Sequence, residues 1–337
     1  MSLLKRSLRV LAPSLVAAFM MPASAAELTL PRDGWVSWEV PAVDNAPAWC
    51  CWSWHERKAT GAACNLDGNP DGIGMRHDNE TTDAVKVYAR LAAGKVERLQ
   101  VLAAACPVET RTPVASIGTV AGDDSVRWLI AQARLRSTDA TRSQPIDESA
   151  LAALAMHRGD LARDTLANYA RGDDRAKTRK QAVFWLAMLR GEEGADITSS
   201  VMFKDADPEV RQHAAFSMTL SKSPRVAADL IRLANTDNAG EVRAQAWFWL
   251  AHTGAPAAEN AIGDALRKDA DEHVREQAIF ALSRLPEERA TRALIATAED
   301  RSLSNEQRKR AVFWLSQAQS DSAQAYLEKI LASNVAH

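Results

Sequence analysis

The stretch Arg243-Ala244-Gln245-Ala246-Trp247-Phe248-Trp249-Leu250 decides the fold, because similar octapeptides recur at a fixed interval along the chain. The other copies begin at Arg179, Arg211, Arg275 and Arg308. The starting arginines are separated by 32, 32, 32 and 33 residues, which leaves room for two helices of about three turns each and two short turns. A repeat of this length predicts an α-solenoid of stacked helix pairs.

The residues of this stretch indicate how its helix packs. Ala246 and Leu250 are four residues apart, so they lie on one helical face, and the small Ala allows a neighbouring helix to approach closely. Phe248 lies well around the helix from that face. A helix that is apolar on several sides must be enclosed on several sides. We therefore expect each anchor helix, named for its starting arginine, to be enclosed by two neighbours and a partner helix.

Second helices are predicted between the anchor helices, for example over residues 226–234 and 258–266. Equivalent apolar positions recur in three of them: Leu230, Ile262 and Leu294. One helix pair cannot bury its apolar faces alone, whereas stacked pairs can. The array is predicted to span residues 122–333, with Asp123 and Asp124 capping its first helix and a degenerate first unit near residues 147–171.

A family resemblance follows from these residues. Asp207-Pro208-Glu209-Val210-Arg211 and Asp271-Glu272-His273-Val274-Arg275 each lead into an Ala and an apolar residue four positions later. This pattern resembles the short HEAT-like repeats first associated with phycobilisome lyases, over about residues 147–333. The resemblance implies a mainly α, right-handed solenoid, with protein binding or scaffolding as its default role, since a fold does not fix a function.

Three classes of HEAT-like enzyme fit the sequence poorly. Deoxyhypusine hydroxylases hold two irons with His-Glu pairs just after the arginine. None of the matching dipeptides here is His-Glu, so this iron site is not expected. They are Lys180-Gln181, Gln212-His213, Ala244-Gln245, Glu276-Gln277 and Lys309-Arg310. DNA glycosylases need a basic concave surface, but residues 27–337 carry a net charge of −5. Bilin lyases act on cytosolic proteins, whereas the N-terminus of this chain predicts export, as described below. We therefore expect no enzyme activity, no cofactor or metal, and no nucleic-acid partner.

The N-terminus predicts export. Residues 1–25 have the three parts of a signal peptide: basic Lys5, Arg6 and Arg9, an apolar run over 10–21, and the cleavage motif Ala23-Ser24-Ala25. The apolar run is too short for a membrane anchor, which is the alternative interpretation. The mature protein is predicted to be periplasmic or secreted, with no membrane insertion after cleavage.

Residues 26–118 are predicted to form a small β-rich domain. Residues 35–40, 84–91 and 95–103 have the composition of strands, with a hairpin turn at 92–94 between the last two. Residues 65–80 are rich in Gly, Asn, Asp and Pro and are predicted to form a loop.

Every cysteine of the chain lies in this domain: Cys50, Cys51, Cys64 and Cys106. An even number in an exported chain indicates two disulfides. A bond between adjacent Cys50 and Cys51 is strained, which leaves Cys50–Cys64 with Cys51–Cys106, or Cys50–Cys106 with Cys51–Cys64. A zinc site is less favoured because the spacing lacks paired CxxC motifs.

The predicted function is to bind a protein partner on a concave surface formed by the second helices. Helical phase predicts exposed residues of mixed charge there: Arg225, Arg232, Asn260, Asp264, Arg267, Arg289 and Arg292. Mixed charge suits a polypeptide better than a polyanion. In the alternative hypothesis, the disulfide domain is the active part, by ligand recognition or thiol chemistry, and the solenoid is a spacer.

Other residues have two interpretations each. Trp185, Trp247, Trp249 and Trp314 could form an aromatic ladder for a ligand, but filling gaps between repeats is favoured. The anchor arginines could bind an anion, but a structural ladder with acidic partners or helix-end carbonyls is favoured. His213 is interpreted as a packed or surface residue. The loop acids Asp67, Asp71 and Asp78 are interpreted as a solvated turn, since their spacing does not match a calcium loop.

Overall fold

The computed structural model describes residues 28–55, 58–68, 73–75, 80–135, 145–173 and 175–335, so the predicted signal peptide (1–25), Asp71 and Asp78 lie outside the described residues. The described strands are β1 (Gly34–Pro41), β2 (Trp49–His55), β3 (Lys58–Ala62), β4 (Cys64–Asn65), β5 (Ile73–Met75), β6 (Ala84–Ala92), β7 (Lys95–Ala103), β8 (Val108–Glu109) and β9 (Val114–Thr119). The described helices are α1 (Gly122–Ala133), α2 (Ile146–Met156), α3 (Asp160–Gly172), α4 (Ala176–Leu189), α5 (Gly191–Lys204), α6 (Pro208–Met218), α7 (Val226–Thr236), α8 (Gly240–His252), α9 (Ala258–Lys268), α10 (Glu272–Leu282), α11 (Glu287–Glu299), α12 (Asn305–Ser316) and α13 (Asp321–Val335). None of these helices is long and apolar enough to cross a bilayer.

Four strands form the central sheet of the N-terminal region, in the order β7-β6-β1-β9. β1 is antiparallel to β6 and parallel to β9, and β6 and β7 form the predicted hairpin. Its turn is at Ala93 and Gly94, whose φ angles of 51° and 77° suit a two-residue hairpin turn. β2 pairs with β3 and β5, so a strand lies where the sequence predicted only a loop.

The central sheet is buried on both faces, because alternate residues of its strands enter different cores. Val36 and Trp38 of β1 belong to the main core, which continues into α1, α2 and the repeats. Trp35 of β1 and Tyr88 of β6 belong to a smaller core with the cysteines. The sheet is therefore a middle layer between the first helices and a disulfide-bearing layer.

Two disulfides hold that outer layer. They join Cys50 to Cys106 and Cys51 to Cys64, which is one of the two pairings that the sequence left open. Cys106 follows β7, Cys50 and Cys51 lie in β2, and Cys64 lies in β4. The bridges therefore tie the short outer strands to the central sheet.

Asp67 is a buried hub of this layer, which corrects its interpretation as part of a solvated turn. Its carboxylate accepts hydrogen bonds from Trp35 Nε1 at 3.0 Å, Arg90 Nη1 at 3.1 Å and the Arg111 backbone N–H at 2.5 Å. The side chain is only 5% exposed. The Arg111 and Trp35 hydrogen bonds and the nearby arginine charges outweigh burial and lower the pKa of Asp67.

The helices form consecutive pairs from α2 and α3 onward. α1 begins at Gly122 with no side-chain cap, so Asp123 and Asp124 lie in its first turn and do not cap it. In the anchor helices α4, α6, α8, α10 and α12, the predicted core Ala and its Leu or Met partner are buried. In the second helices, Leu230, Ile262 and Leu294 are buried as predicted.

The two rows of helices are unequally spaced. Successive anchor helices pack closely along most of the array, whereas successive second helices barely touch. A stack curves toward its more tightly packed row, so the anchor helices line the concave face. The prediction that the second helices form the concave surface is therefore wrong: they form the outer row.

A ladder of arginine–aspartate pairs joins the repeats and confirms the structural interpretation of the first three anchor arginines. The rungs are Arg179–Asp205, Arg211–Asp237 and Arg243–Asp269. In the central rung, Nε and Nη2 of Arg211 donate to the carboxylate of Asp237 at 2.7 and 2.9 Å, and Nη1 donates to the backbone carbonyl of Asp205 at 2.9 Å. Each guanidinium therefore links its own repeat to the next.

The ladder ends at the last junction. Arg275 donates to the backbone carbonyls of Asp269 and Ala270 and has no carboxylate partner among the described residues. Asp205, Asp237 and Asp269 are the C-cap residues of α5, α7 and α9, and Asp300 is the C-cap of α11, but its carboxylate contacts Arg267 at 3.6 Å and forms no ion pair with Arg275. Arg308 donates to Asn305 of its own helix.

A buried polar chain connects the sheet to the first helices. Trp38 Nε1 donates to Ser125 Oγ at 2.7 Å, and Ser125 Oγ lies 2.7 Å from His157 Nε2. His157 Nδ1 lies 2.6 Å from the Ala153 carbonyl. A carbonyl only accepts, so Nδ1 carries the proton and Ser125 donates to Nε2. Because Ser125 and His157 are both 0% exposed, this Ser–His pair is structural and cannot reach a substrate.

Candidate functional site

Aromatic side chains form a row on the concave face, which we call the inner stripe. They stand five and six positions after the anchor arginines: Phe184, Trp185, Phe216, Phe248, Trp249, Phe280, Phe313 and Trp314. All are half-buried except Phe313, which is 54% exposed. The stripe therefore presents ring faces and edges to solvent along the anchor helices.

The rings of the inner stripe contact one another from repeat to repeat. The ring centroids of Phe216 and Trp249 are 4.8 Å apart, and those of Phe280 and Trp314 are 4.9 Å apart. Phe248 and Phe280 stack at 5.6 Å. At the other end of the row, the ring centroids of Trp185 and Trp49 of β2 are 5.2 Å apart, so the row continues onto the N-terminal region.

These positions agree with the favoured interpretation of the tryptophans and correct that of the phenylalanines. Trp247, four positions after its arginine, fills the core at 1% exposure as predicted. Trp185, Trp249 and Trp314, six positions after theirs, are half-buried and pack against the main core, in agreement with the favoured interpretation that they fill gaps between repeats. The phenylalanine five positions after each arginine was expected to be enclosed, but the close row of anchor helices leaves its side facing the concave surface open. The signal that could have found the stripe is its occurrence in every repeat.

Polar residues surround the centre of the stripe. An open groove of about 690 Å³ has Phe216 and Trp249 in its floor. Its other lining residues are mostly polar: Lys180, Pro208, Glu209, Gln212, His213, Glu241 and Gln245. Burial and the nearby Lys180 charge lower the pKa of His213, although a hydrogen bond to the Lys180 backbone opposes this. The groove therefore offers amides, a neutral imidazole and carboxylates beside the aromatic rings.

Cations lie farther along the stripe. The Arg284 guanidinium lies 4.6 Å from the Phe280 ring centroid and 5.9 Å from that of Trp314. It has no ion-pair partner in the part of the chain that the structure describes. Arg310 is paired with Glu276 at 3.1 Å. The stripe thus has an acidic rim near α6 and α8 and a free cation near α10.

The residues predicted to bind a partner lie on or beside the outer row. Arg225 pairs with Asp196 at 2.6 Å, and the Arg232 guanidinium lies 4.4 Å from the Phe203 ring centroid.

Arg267 contacts Asp264 at 3.3 Å and Asp300 at 3.6 Å. Asn260 and Arg292 are exposed on neighbouring helices.

Arg289 differs from the rest of this set. It donates to the backbone carbonyls of Gly254 and Ala255 and approaches Glu259 at 3.3 Å. It therefore holds the end of one repeat against the next helix, and its replacement would disturb the packing of the array.

The structure describes no cluster of three or more His, Cys, Asp or Glu side chains that could hold a metal ion within these residues. Each of the four cysteines is in a disulfide.

Comparison with known proteins identifies the repeats. Residues 162–247 and 237–307 match the family described as HEAT repeats. No curated protein matches the chain.

Similar solved structures include human deoxyhypusine hydroxylase in complex with glycerol (18% identity, 59% of this chain and 76% of that one, TM-score 0.32). Others are YibA of Escherichia coli (18% identity, 62% and 76%, TM-score 0.37) and the CpcE–CpcF complex of phycocyanin lyase from Nostoc sp. (18% identity, 60% and 80%, TM-score 0.29). Residues 162–307 therefore consist of HEAT repeats, and they belong to an array of stacked helix pairs that follows a strand-rich, disulfide-bearing N-terminal region.

Proposed function

We propose that this protein is an exported, non-catalytic binding protein that holds a polypeptide segment on the concave face of its HEAT repeats. The observation that carries the proposal is the inner stripe, a continuous row of half-buried aromatic rings across successive anchor helices. Solenoids bind through extended concave surfaces, and aromatic rings supply much of the energy at protein interfaces.

The shape and charge of the stripe favour a polypeptide over other ligands. An elongated row suits a chain that contacts several repeats, whereas a compact small molecule would use one pocket. Acidic and basic groups both flank the rings, and the net charge of −5 over residues 27–337 is unfavourable for nucleic acid. Two disulfides support export to the periplasm or beyond.

The test is site-specific photo-crosslinking in intact cells. A benzophenone amino acid is placed at Phe280 on the stripe, and at Asn260 on the outer row as the control. We expect one polypeptide to be crosslinked from Phe280 and not from Asn260.

Two double variants then decide between the surfaces. For these variants the benzophenone is placed at Gln277, because Phe280 is itself replaced. Phe248→Ser with Phe280→Ser should abolish the crosslink from Gln277 to the polypeptide, whereas Arg232→Glu with Arg267→Glu should leave that crosslink intact. The opposite result would return the binding site to the outer row that the sequence predicted. No crosslink from any stripe position would refute the proposal.

The alternative hypothesis of thiol chemistry in the N-terminal region is not favoured, because the structure pairs all four cysteines. Thiol titration of the native protein checks this, and any free thiol would revive the alternative.

A further inference from the structure

Glutamine side chains form a second row beside the inner stripe, which we call the amide row. Three of them stand two positions after the anchor arginine: Gln181, Gln245 and Gln277. Gln212 stands one position after Arg211. A residue two positions after the arginine lies one turn from the phenylalanine five positions after it, so both share the concave face.

The amide row has unused hydrogen-bonding capacity. Gln181, Gln212, Gln245 and Gln277 are half-buried. None of their side-chain amides bonds to another described residue. A primary amide both donates and accepts, and this is the pair of functions that each residue of a polypeptide backbone needs. The row can therefore bind the main chain of a ligand without reading its sequence.

Two pairs of neighbouring phenylalanines in the stripe have a spacing that fits an extended ligand. The phenylalanine ring centroids of neighbouring repeats are 6.4 Å apart for Phe184 and Phe216 and 5.6 Å apart for Phe248 and Phe280. An extended chain advances about 6.6 Å for every two residues. Each of these repeats can therefore match two ligand residues, with alternate side chains directed toward the rings.

The charge of the groove rim indicates which side chains the ligand carries between its apolar residues. On the far side of the amide row from the rings, Glu209 and Glu241 form the rim of the groove. Glu209 is 3.2 Å from Lys180, but Glu241 is exposed and has no ion-pair partner in the described chain. Side chains of an extended ligand that point away from the rings would meet this acidic rim, so they should be basic.

We propose that the concave face binds an extended segment in which apolar and basic residues alternate, with its backbone on the amide row, its apolar side chains on the inner stripe and its basic side chains on the acidic rim. This inference rests on the proposed function and names the chemistry of the partner.

The test uses two fluorescein-labelled peptides, Ser-Leu-Lys-Leu-Lys-Leu-Ser and the same peptide with Glu for both Lys. Fluorescence anisotropy with the purified, disulfide-bonded protein should show saturable binding of the Lys peptide and at least about tenfold weaker binding of the Glu peptide. Glu241→Lys should reverse this preference.

The amide row is tested with Gln245→Ala combined with Gln277→Ala. Loss of two hydrogen-bonding side chains should weaken the Lys peptide about tenfold. Asn260→Ala, which removes an exposed amide from the outer row, is the matched control and should change nothing. Because these amides have no partner in the described chain, Tm should be the same in all variants.

The outcomes separate the two proposals. Equal binding of both peptides, or unchanged binding by the glutamine double variant, would overturn the inference about the ligand. If Phe248→Ser with Phe280→Ser still abolishes the cellular crosslink in that case, the proposed function stands without the inference about the ligand. If neither peptide binds and no crosslink depends on the stripe, both proposals fail.

Discussion

Single residues decide how firmly neighbouring repeats are joined. Burial of the Asp237 carboxylate raises its pKa, but the hydrogen bonds from Arg211 and the Ala239 backbone and the charges of Arg211 and Arg243 lower it more, so its pKa lies below the ordinary value. The charged form is therefore the stable one inside the ladder. The sequence analysis favoured this structural role over anion binding, and the partners it named, acidic side chains or helix-end carbonyls, are the ones that the structure shows.

The missing rung can be restored. Ser302→Asp adds a carboxylate six residues before Arg308 and two residues beyond Asp300, which caps α11 and contacts Arg267 instead of Arg275. We expect it to pair with Arg275 and raise Tm by about 2 °C, measured by calorimetry. Ser302→Asn, which has the same shape without the charge, is the control. An equal effect of both variants would show that charge pairing is not the cause.

His157 makes stability depend on pH. Burial lowers its pKa from 6.5 to about 4, assisted by the Arg190 charge and opposed by the hydrogen bond to Ala153. Below pH 6.5 the unfolded chain binds a proton that the folded protein excludes until about pH 4. The free energy of unfolding should therefore fall as pH falls, by about 2 kcal/mol between pH 7 and pH 5.

Urea unfolding at pH 7 and pH 5 measures this effect. His157→Asn keeps a hydrogen-bonding group but does not titrate, so its pH dependence should be smaller by the same amount. A variant with an unchanged pH dependence would assign the effect to other groups.

At the scale of elements, each anchor helix has a core side and a side that carries the inner stripe, and sequence reasoning separated them only in part. Ala246 and Leu250 were predicted to be buried from their four-residue spacing, and they are. Phe248 was misplaced because periodicity shows that a helix is apolar on several sides but not how near its neighbours lie. The curvature of the array, which only the structure shows, leaves that side open.

The two sides of an anchor helix should respond differently to substitution. Trp247→Ala removes a large side chain that is 1% exposed and should lower the free energy of unfolding by about 3–5 kcal/mol. Phe313→Ser removes a ring that is 54% exposed and should cost far less, about 1 kcal/mol or below. Chemical denaturation measures both. Similar losses would mean that the stripe is part of the core.

At the scale of the whole molecule, the N-terminal region and the array share one core. Val36 and Val87 of the sheet belong to the same buried cluster as Leu151 of α2 and Leu186 of α4. The sequence showed a change of composition near residue 120 but not this continuity, because contacts between distant segments leave no local pattern. The disulfide pairing was likewise undecided until the strands were placed.

Reduction of the disulfides should therefore loosen the array unevenly. Loss of the Cys50–Cys106 and Cys51–Cys64 bridges should destabilise the sheet by a few kcal/mol. Hydrogen exchange of the reduced protein should rise in β1, β6 and α2, which share buried contacts, while α10 and α12 keep their protection. Uniform loss of protection along the chain would indicate a single cooperative unit instead.

The unfinished ladder also gives the molecule a mechanical polarity. The sheet and the disulfides brace one end, whereas α10 and α12 pack less closely than the preceding anchor helices and Arg275 lacks an acidic partner in the described chain. Tension applied between the two ends should therefore part the array at this last junction, which single-molecule stretching would record as a short first extension. The repeats that carry the groove would still be folded under that load, so a bound segment could stay in place while the tail of the array yields.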